Sequence, residues 1–360
     1  FLPMQKVGRT MSSSTLAPAV SLIVPVYKSE ATLGACLDSL LVQTEADIEI
    51  ICVNDGSPDN CASILESYAS RDARICVITQ QNQGLSAARN AGMDVARGRI
   101  VDFVDSDDTV SPDLCRRLVE VFDATDADVV TFGAVCEPED RASKRIRQLL
   151  SPAAATFDTF DAALLFSANA QPYAWRTAMR RAFMERENIR FSTRLRFAED
   201  VPYQFIVYPL SKKTVLIPDR LYHYRMTDGS LTHVYNTEAS RAQKVEQHLL
   251  MFEVIFDEWR KRGLLGLCPG EMVAWCLDLT LFDLVRLPSA EADACALHLS
   301  RLLRDVYGEK WYTLPPKGAQ RRAALAVAQG AESGFEMRKR DLIAFFAATR
   351  GVKTCVERFI

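Results

Sequence analysis

The stretch Ile100-Val-Asp-Phe-Val-Asp-Ser-Asp-Asp108 joins a β-branched, largely apolar run to three closely spaced carboxylates. Such a run is typical of a buried strand. The carboxylates after it repel one another, and either a hard divalent cation or solvent offsets that repulsion. Because open α/β folds bind ligands at the carboxyl ends of their strands, the stretch predicts a metal and a phosphorylated ligand at such an edge.

Strands and helices are predicted to alternate around this stretch. Short β-rich runs occupy residues 20–27, 48–54, 75–79, 100–104 and 129–132. Helical periodicity occupies residues 31–43, 60–71, 85–96 and 112–124. This alternation is typical of βαβ units and predicts an α/β fold, with a mostly parallel sheet flanked by helices. We expect a flexible leader at 1–19, an α/β domain at 20–235 and a mainly helical region at 236–360.

The composition argues against several classes of protein. A net charge of −3 over 360 residues gives no reason to expect nucleic acid as a partner. The ten cysteines form no CxxC pair and the four histidines lack metal-site spacing. This pattern indicates reduced thiols in a cytoplasmic protein rather than a disulfide or zinc framework. The most apolar stretch, 272–287, is interrupted by Asp278, Asp283 and Arg286, so we expect no membrane-spanning helix.

Two motifs follow the first two predicted strands. Val24-Pro-Val-Tyr27 ends the first strand, and a simple strand cap is its competing interpretation. Ile51-Cys-Val-Asn-Asp-Gly-Ser-Pro-Asp59 places Asp55 after the second strand. The glycine beside Asp55 permits close approach of a ligand ring or ribose. The competing interpretation here is an Asx-type turn near a helix N-cap.

A third motif, Asn82-Gln-Gly-Leu-Ser-Ala-Ala-Arg-Asn90, begins a predicted helix. Arg89 offers a planar donor fork for a nucleotide base or phosphate, unless it is a solvated arginine on a capped surface helix. In the opening stretch, Asp105 and Asp107 have the spacing to share one hard cation with water and diphosphate oxygens. A calcium loop of the EF-hand type is excluded, because valine and arginine occupy its required glycine and glutamate positions.

Two further motifs lie later in the chain. Ala198-Glu-Asp200 places adjacent carboxylates among aromatic residues, where they indicate a general base or, alternatively, acids that favour a helix N-terminus. Leu221-Tyr-His-Tyr-Arg225 predicts an aromatic strand. Arg225 would neutralise a phosphate over which Ser230 or His233 closes, and an edge strand with a turn is the alternative. The motifs GxxxxGK[ST], GxGxxG and GxSxG are absent from the sequence.

In this order, the motifs resemble those of the family 2 glycosyltransferases with a GT-A fold. The likeness rests on VSLIVPVYKSEATLGACLDSLLVQT, IICVNDGSPD, NQGLSAARNAG, VDFVDSDD, the AED triplet and LYHYR, and covers about residues 19–235. The resemblance implies an inverting transferase with a DXD motif that takes a nucleotide-sugar, usually a UDP-sugar, with Mn²⁺ or Mg²⁺. A saccharide or lipid-linked acceptor would receive the sugar during synthesis of a polysaccharide or glycoconjugate.

The resemblance also implies roles for individual residues. Asp200 would be the catalytic base with Glu199 beside it, and Asp107 would ligate the metal together with Asp105. The donor-binding set comprises Pro25, Tyr27, Asp55, Asn82, Arg89, Asp105, Arg225 and Ser230. One departure concerns the acceptor side, where Trp175-Arg-Thr-Ala-Met-Arg-Arg181 replaces the Trp-Asn-Lys-Leu-Tyr-Arg-Arg-like segment of many relatives.

Two other functions compete with this interpretation. A catalytically silent nucleotide-sugar-binding protein is the main alternative, and the presence of Asp105, Asp107 and Asp200 argues against it. A nucleotidyltransferase of similar architecture is less favoured, because no Gly-rich phosphate loop follows the first strand.

The C-terminal segment 334–360 combines basic residues with an apolar stripe. We favour a helix that docks its apolar side onto the protein. A basic amphipathic helix on an anionic membrane is an alternative, and it would place a cytoplasmic protein at the inner face of the membrane. Formation of a homo-oligomer through this segment is a third interpretation.

Overall fold

The computed structural model describes residues 17–226 and 240–351, together with the backbone of a short strand at 5–7. The chain forms two compact units, Phe1–Asp228 and Gly229–Ile360, here called unit 1 and unit 2. The predicted domain boundary at 235/236 falls outside the described residues.

Within the described residues, unit 1 is built on one ten-stranded sheet. Its strands are β1 Gln5–Val7, β2 Val20–Val26, β3 Ile48–Asn54, β4 Ile75–Thr79, β5 Ile100–Phe103, β6 Thr109–Val110, β7 Val129–Glu137, β8 Ala155–Phe157, β9 Thr177–Arg180 and β10 Thr214–Arg225. Its helices are α1 Leu33–Leu41, α2 Cys61–Arg71, α3 Leu85–Val95, α4 Leu114–Thr125, α5 Lys144–Leu149, α6 Ala163–Phe166, α7 Arg181–Arg186 and α8 Asp200–Leu210.

The strand order across the sheet is β1-β4-β3-β2-β5-β9-β7-β10-β6, and β8 also pairs with β10. Strands β4, β3, β2 and β5 run parallel, as do β7 and β10. Every residue of β2 and β3 is buried, which means that both faces of the sheet are covered at its centre. The predicted α/β class, with a sheet flanked by helices, is confirmed. The carboxyl ends of the four parallel strands meet at one edge, where the acidic motifs lie.

Helix α3 lies directly on the sheet. A Cβ atom at Gly92 would come within 2.4 Å of Ile23 Cγ2 on β2, so only glycine permits this close approach. Because residues three apart share one face of a helix, the buried side chain of Arg89 lies on the same side of α3. The close packing therefore holds Arg89 beneath the strand ends.

Several strands were not predicted. The four residues of β9 are too few to show alternation, yet β9 lies antiparallel between β5 and β7. Strand β1 lies in the segment predicted as a flexible leader and pairs antiparallel with β4. Strand β10 extends well before the predicted aromatic run, and its pairing with β7 shifts between Leu216 and Arg220. Pro218 lies within that irregularity, as prolines in sheets commonly do.

Unit 2 is mainly helical, as predicted. Its helices are α9 Arg241–Arg262, α10 Pro269–Leu284, α11 Ser289–Tyr307, α12 Gly318–Ser333 and α13 Lys339–Arg350. No helix among the residues that the structure describes is long and apolar enough to cross a membrane.

The C-terminal helix α13 packs within unit 2. It buries Leu342, Phe345 and Phe346. At its end, Arg350 Nε lies 2.6 Å from Asp278 Oδ1 on α10. Three apolar side chains of α13 are thus covered by protein, in agreement with the docked-helix interpretation, whereas Ile343 on the same helix is 37% exposed.

Candidate active site

Asp55 organises the loop between β4 and α3. Its side chain is 2% exposed and accepts three hydrogen bonds. Asp55 Oδ1 accepts from Gln80 Nε2 at 2.7 Å and from the Gln83 amide at 3.0 Å, and Oδ2 accepts from the Gly84 amide at 2.8 Å. This loop carries the exposed Asn82. The structure thus brings two predicted donor-binding residues, Asp55 and Asn82, to the same strand edge.

Gly56 permits this arrangement. Its φ is +65°, and a Cβ atom there would lie 2.9 Å from the Asn82 amide nitrogen. A side chain would therefore be strained by its backbone and would also collide with the loop. The glycine that follows Asp55 serves the contact between two loops, which explains the Asp-Gly pair at this strand end.

Pro25 and Tyr27 lie at the neighbouring strand end. Pro25 is buried in β2, whereas the ring of Tyr27 is 44% exposed. The Asp55 amide donates to the Val26 carbonyl at 3.0 Å, which fixes the β2 and β3 ends side by side. An exposed aromatic ring thus stands next to the Asp55 loop.

Arg89 connects two acidic motifs that are far apart in sequence. Its Nη2 lies 2.7 Å from Asp105 Oδ1, and its Nη1 lies 2.7 Å from Glu199 Oε1. The guanidinium is 2% exposed and also lies over the Phe191 ring, with 5.2 Å from Cζ to the ring centroid. A charge buried this deeply requires such partners. The predicted donor-binding residue Arg89 is therefore engaged on both terminal nitrogens by carboxylates of the protein itself.

The three carboxylates after β5 have different surroundings. Asp108 is buried, and it accepts from the Tyr222 hydroxyl at 2.8 Å and from the Arg225 amide at 2.7 Å. The Tyr222 hydroxyl in turn accepts from the Asp105 amide at 3.0 Å. Asp108 therefore anchors the acidic turn to β10, whereas Asp105 and Asp107 remain partly exposed.

Burial and the charge of Asp105 together raise the pKa of Asp107 to about 6. Positive charges on Arg225 and Arg89 act in the opposite direction. The Asp105 and Asp107 carboxylates thus form a small, negatively charged pair whose mutual repulsion a cation would relieve.

The donor set of Asp105 and Asp107 fits a hard cation that takes few protein ligands. Among the described residues, no group of three or more His, Cys, Asp or Glu side chains forms a complete metal cage. Mg²⁺ is commonly held by one or two carboxylates, with water and phosphate oxygens completing its octahedron. Two carboxylates at the carboxyl edge of the parallel strands supply the protein ligands for such a site.

Asp200 is the first residue of α8, directly after Glu199. Asp200 Oδ2 accepts from the Tyr173 amide at 2.9 Å. Burial raises the pKa of Asp200 to about 7, with a further contribution from Glu199 and opposition from Arg89. A carboxyl group that titrates near neutrality is suited to general base catalysis.

The predicted donor-binding residue Arg225 is the last residue of β10. The side chain of Arg225 is partly exposed and lies close enough to lower the pKa of Asp107 against the effect of burial. Ser230 and His233 fall outside the described residues.

Three aromatic residues at the site were missed by the sequence analysis: Tyr173, Trp175 and Tyr222. Tyr222 bonds Asp108 through its hydroxyl, and Tyr173 bonds Asp200 through its amide. The alternation in Leu221–Arg225 was the available signal for Tyr222, because it places that ring on the same face as Tyr224. No local pattern pointed to Tyr173.

Comparison with known proteins agrees with this architecture. The family model Glycosyl transferase family 2 matches residues 21–187. The protein named uncharacterized glycosyltransferase EpsJ of Bacillus subtilis is 36% identical, over 78% of this chain and 79% of that protein. Putative glycosyltransferase EpsH of the same organism is 36% identical over 61% of this chain and 64% of that protein. The chain therefore belongs to glycosyl transferase family 2 and is a glycosyltransferase enzyme.

Solved structures share the fold at lower sequence identity. The crystal structure of S. aureus TarS 1–349 in complex with UDP-GlcNAc matches with a TM-score of 0.69 and 19% identity, and 92% of each chain is covered. The complex of the same TarS fragment with UDP matches with a TM-score of 0.67 and 17% identity. These matches confirm the GT-A fold that the sequence motifs imply.

Proposed function

We propose that the protein transfers a sugar from a UDP-sugar to a hydroxyl group of a saccharide or lipid-linked acceptor, with inversion, during synthesis of a polysaccharide or glycoconjugate. The observation that carries this proposal is the double ion pair of Arg89 with Asp105 and Glu199. It joins the acidic turn after β5 to the start of α8, so the donor-side acids and Asp200 belong to one centre. The UDP-GlcNAc complex of TarS supports the choice of nucleotide.

The donor would lie along the carboxyl edge of the parallel strands. Tyr27 offers an exposed ring face to a uracil base, and Pro25 fixes the strand beneath it. Asp55 shapes the loop that presents Asn82 through its hydrogen bonds to Gln80, Gln83 and Gly84. Arg225 would neutralise the diphosphate, over which Ser230 in the segment after it would close.

Asp105 and Asp107 would hold Mn²⁺ or Mg²⁺. When bound, the cation supplies Lewis-acid charge neutralisation for the departing diphosphate. Asp105 keeps one oxygen on Arg89 and has its other oxygen for the ribose or the metal. We do not assign Asp108 as a metal ligand, because both of its carboxylate oxygens accept hydrogen bonds from β10.

We assign Arg89 to positioning rather than to contact with the donor. Its two terminal nitrogens each bind a carboxylate, and its side chain is almost fully buried. By holding Glu199, it fixes the start of α8 and hence the position of Asp200. This refines the role that the motif resemblance implies for Arg89.

Asp200 would act as the base. Its Oδ2 is held by the Tyr173 amide, so Oδ1 takes the proton of the acceptor hydroxyl. The acceptor oxygen forms its bond to the anomeric carbon while the bond from that carbon to the diphosphate oxygen breaks, and the diphosphate leaves with the electron pair. Attack from the side opposite the leaving group inverts the anomeric carbon.

A panel of UDP-sugars tests the proposal. Wild-type protein should release UDP from at least one donor in the presence of Mn²⁺ and a mixed saccharide pool, and Asp200→Asn should bind the same donor without releasing UDP. Thermal stabilisation by donor reports binding independently of turnover. Donor binding without transfer or hydrolysis by the wild type would instead favour the silent binding protein.

Two further predictions concern location and assembly. The sequence of 334–360 is rich in lysine and arginine, which would place the protein at the inner face of an anionic membrane, near a lipid-linked acceptor. Homo-oligomerisation through the same segment is the alternative to membrane association. Flotation with anionic vesicles and sedimentation without them separate these two predictions.

A further inference from the structure

Four aromatic rings form a continuous layer beside the acids. We call Tyr173, Trp175, Tyr222 and Tyr224 the aromatic layer. Trp175 lies at its centre, with its ring centroid 4.0 Å from that of Tyr222 and 4.9 Å from that of Tyr173, and both pairs are nearly parallel. Tyr224 lies 5.7 Å from Trp175 and 5.6 Å from Tyr173.

The aromatic layer is attached to both halves of the proposed reaction centre. At one end, the Tyr222 hydroxyl donates to Asp108 at 2.8 Å and accepts from the Asp105 amide. At the other end, the Tyr173 amide donates to Asp200 at 2.9 Å. The layer therefore spans the distance from the donor-side acids to the proposed base.

Only part of the aromatic layer is enclosed by protein. Trp175 is 2% exposed and Tyr222 is 0% exposed, so these rings form its buried support. Tyr173 and Tyr224 remain partly exposed. A large apolar ring that stays partly exposed on such a rigid support is typical of a recognition surface.

The backbone of Tyr173 is strained. Its φ is +80°, which bulky side chains rarely adopt. This conformation lets the amide point at Asp200 while the ring stacks on Trp175. Strain of this kind persists where the surroundings enforce it and is concentrated at functional sites.

We infer that Tyr173 and Tyr224 form the platform on which the acceptor sugar ring stacks. This inference rests on the proposed function and specifies that the accepting part of the acceptor is a saccharide. The acceptor hydroxyl must reach Asp200 Oδ1, so the ring that carries it lies beside Tyr173. The face of a pyranose presents apolar C–H bonds, whose positive partial charges match the negative face of an aromatic ring. Hydroxyl groups on the rim of the sugar stay free for Asp200 and water.

Ring-specific variants test the platform. Tyr173→Ala removes the ring and keeps the amide that binds Asp200, whereas Tyr173→Phe keeps both the ring and the amide. Tyr224→Ala removes the second ring from an ordinary strand position. Tyr68→Ala is the matched control, because Tyr68 is also partly exposed but bonds Asp38 of α1.

Saturation-transfer NMR with methyl glycopyranosides, in the presence of UDP and Mn²⁺, measures binding without turnover. Wild type and Tyr173→Phe should transfer saturation most strongly to the axial C–H protons of one sugar face. Tyr173→Ala and Tyr224→Ala should lose this signal, and Tyr68→Ala should keep it. Absence of transfer to any of the glucose, galactose and N-acetylglucosamine glycosides in the wild type would overturn the inference.

Kinetics supply a second readout. With a saccharide acceptor, Tyr173→Ala and Tyr224→Ala should each raise the acceptor KM about tenfold, equivalent to about 1.4 kcal/mol, whereas Tyr173→Phe and the control Tyr68→Ala should keep the wild-type acceptor KM. A loss confined to kcat, or an equal rise in the KM values of donor and acceptor, would show a structural role instead and refute the platform. A wild type that releases no UDP from any donor, yet still shows the NMR signal, would refute the proposed function and leave the saccharide site standing.

Discussion

The double ion pair of Arg89 allows a quantitative test of the site. Arg89→Met preserves most of the side-chain volume and removes the charge. Glu199 would then be left as a carboxylate with a side chain only 10% exposed, while that of Asp105 is 25% exposed. Removing one partner of a buried ion pair costs about 3–5 kcal/mol, because the other charge stays desolvated. We expect most of this cost to arise at Glu199, the less solvated of the two acids.

The expected loss is large enough to measure by calorimetry. For a unit of this size, each kcal/mol lowers Tm by about 2–4 °C, so Arg89→Met should melt about 6–20 °C below wild type at neutral pH. The double variant Arg89→Met/Glu199→Gln should recover a large part of the lost stability, because a neutral amide side chain then replaces the unpaired buried carboxylate.

Arg190→Met is the control for loss of a surface ion pair. Arg190 Nη2 lies 3.0 Å from Asp94 Oδ1, and these side chains are 36% and 52% exposed. An exposed pair of this kind contributes about 0–1 kcal/mol, so the control should melt close to wild type. If Arg89→Met melts like this control, and the double variant is no more stable than the single one, the positioning role of Arg89 is refuted.

Three further results are expected. Asp200→Asn should lower the transfer rate about 10²–10⁴-fold without loss of donor binding, and a rate close to that of the wild type would exclude the base role. The wild-type rate should rise with pH through about 7 as Asp200 loses its proton. Asp107→Asn should abolish the additional thermal stabilisation that Mn²⁺ gives to the UDP complex, an effect that EDTA should reproduce in the wild type. Asp102 is 0% exposed, its oxygens lack hydrogen-bond partners among the described residues, and burial raises its pKa. Folding therefore disfavours the ionised form of Asp102, so wild-type stability should fall as the pH rises above about 3.9, the pKa of aspartate in the unfolded chain. Urea titrations at several pH values should show a shallower fall in the free energy of unfolding for Asp102→Asn.

The sequence determined the α/β half of the protein and the edge at which its chemistry lies. Runs such as 48–54 and 85–96 carry their own periodicity, and Asp55 and Asp105 each come shortly after an apolar strand. Parallel strands bring their carboxyl ends to one edge whatever their order, so the placement of Tyr27, Asp55 and Asp105 at a common edge follows from local patterns alone.

Only the tertiary structure decided which partners these residues have. Arg89 meets Glu199 across 110 positions of sequence, and Tyr222 meets Asp108 across 114. Both contacts depend on strand order: β9 lies between β5 and β7, and β10 pairs with β7 on one side and β6 on the other. The pairing of these strands depends on side-chain packing between segments that are distant in sequence. Such packing leaves no periodic pattern in the sequence of either segment. Local patterns therefore predicted the edge at which the acids lie. Long-range packing decided that Arg89, predicted to contact the ligand, pairs instead with Asp105 and Glu199.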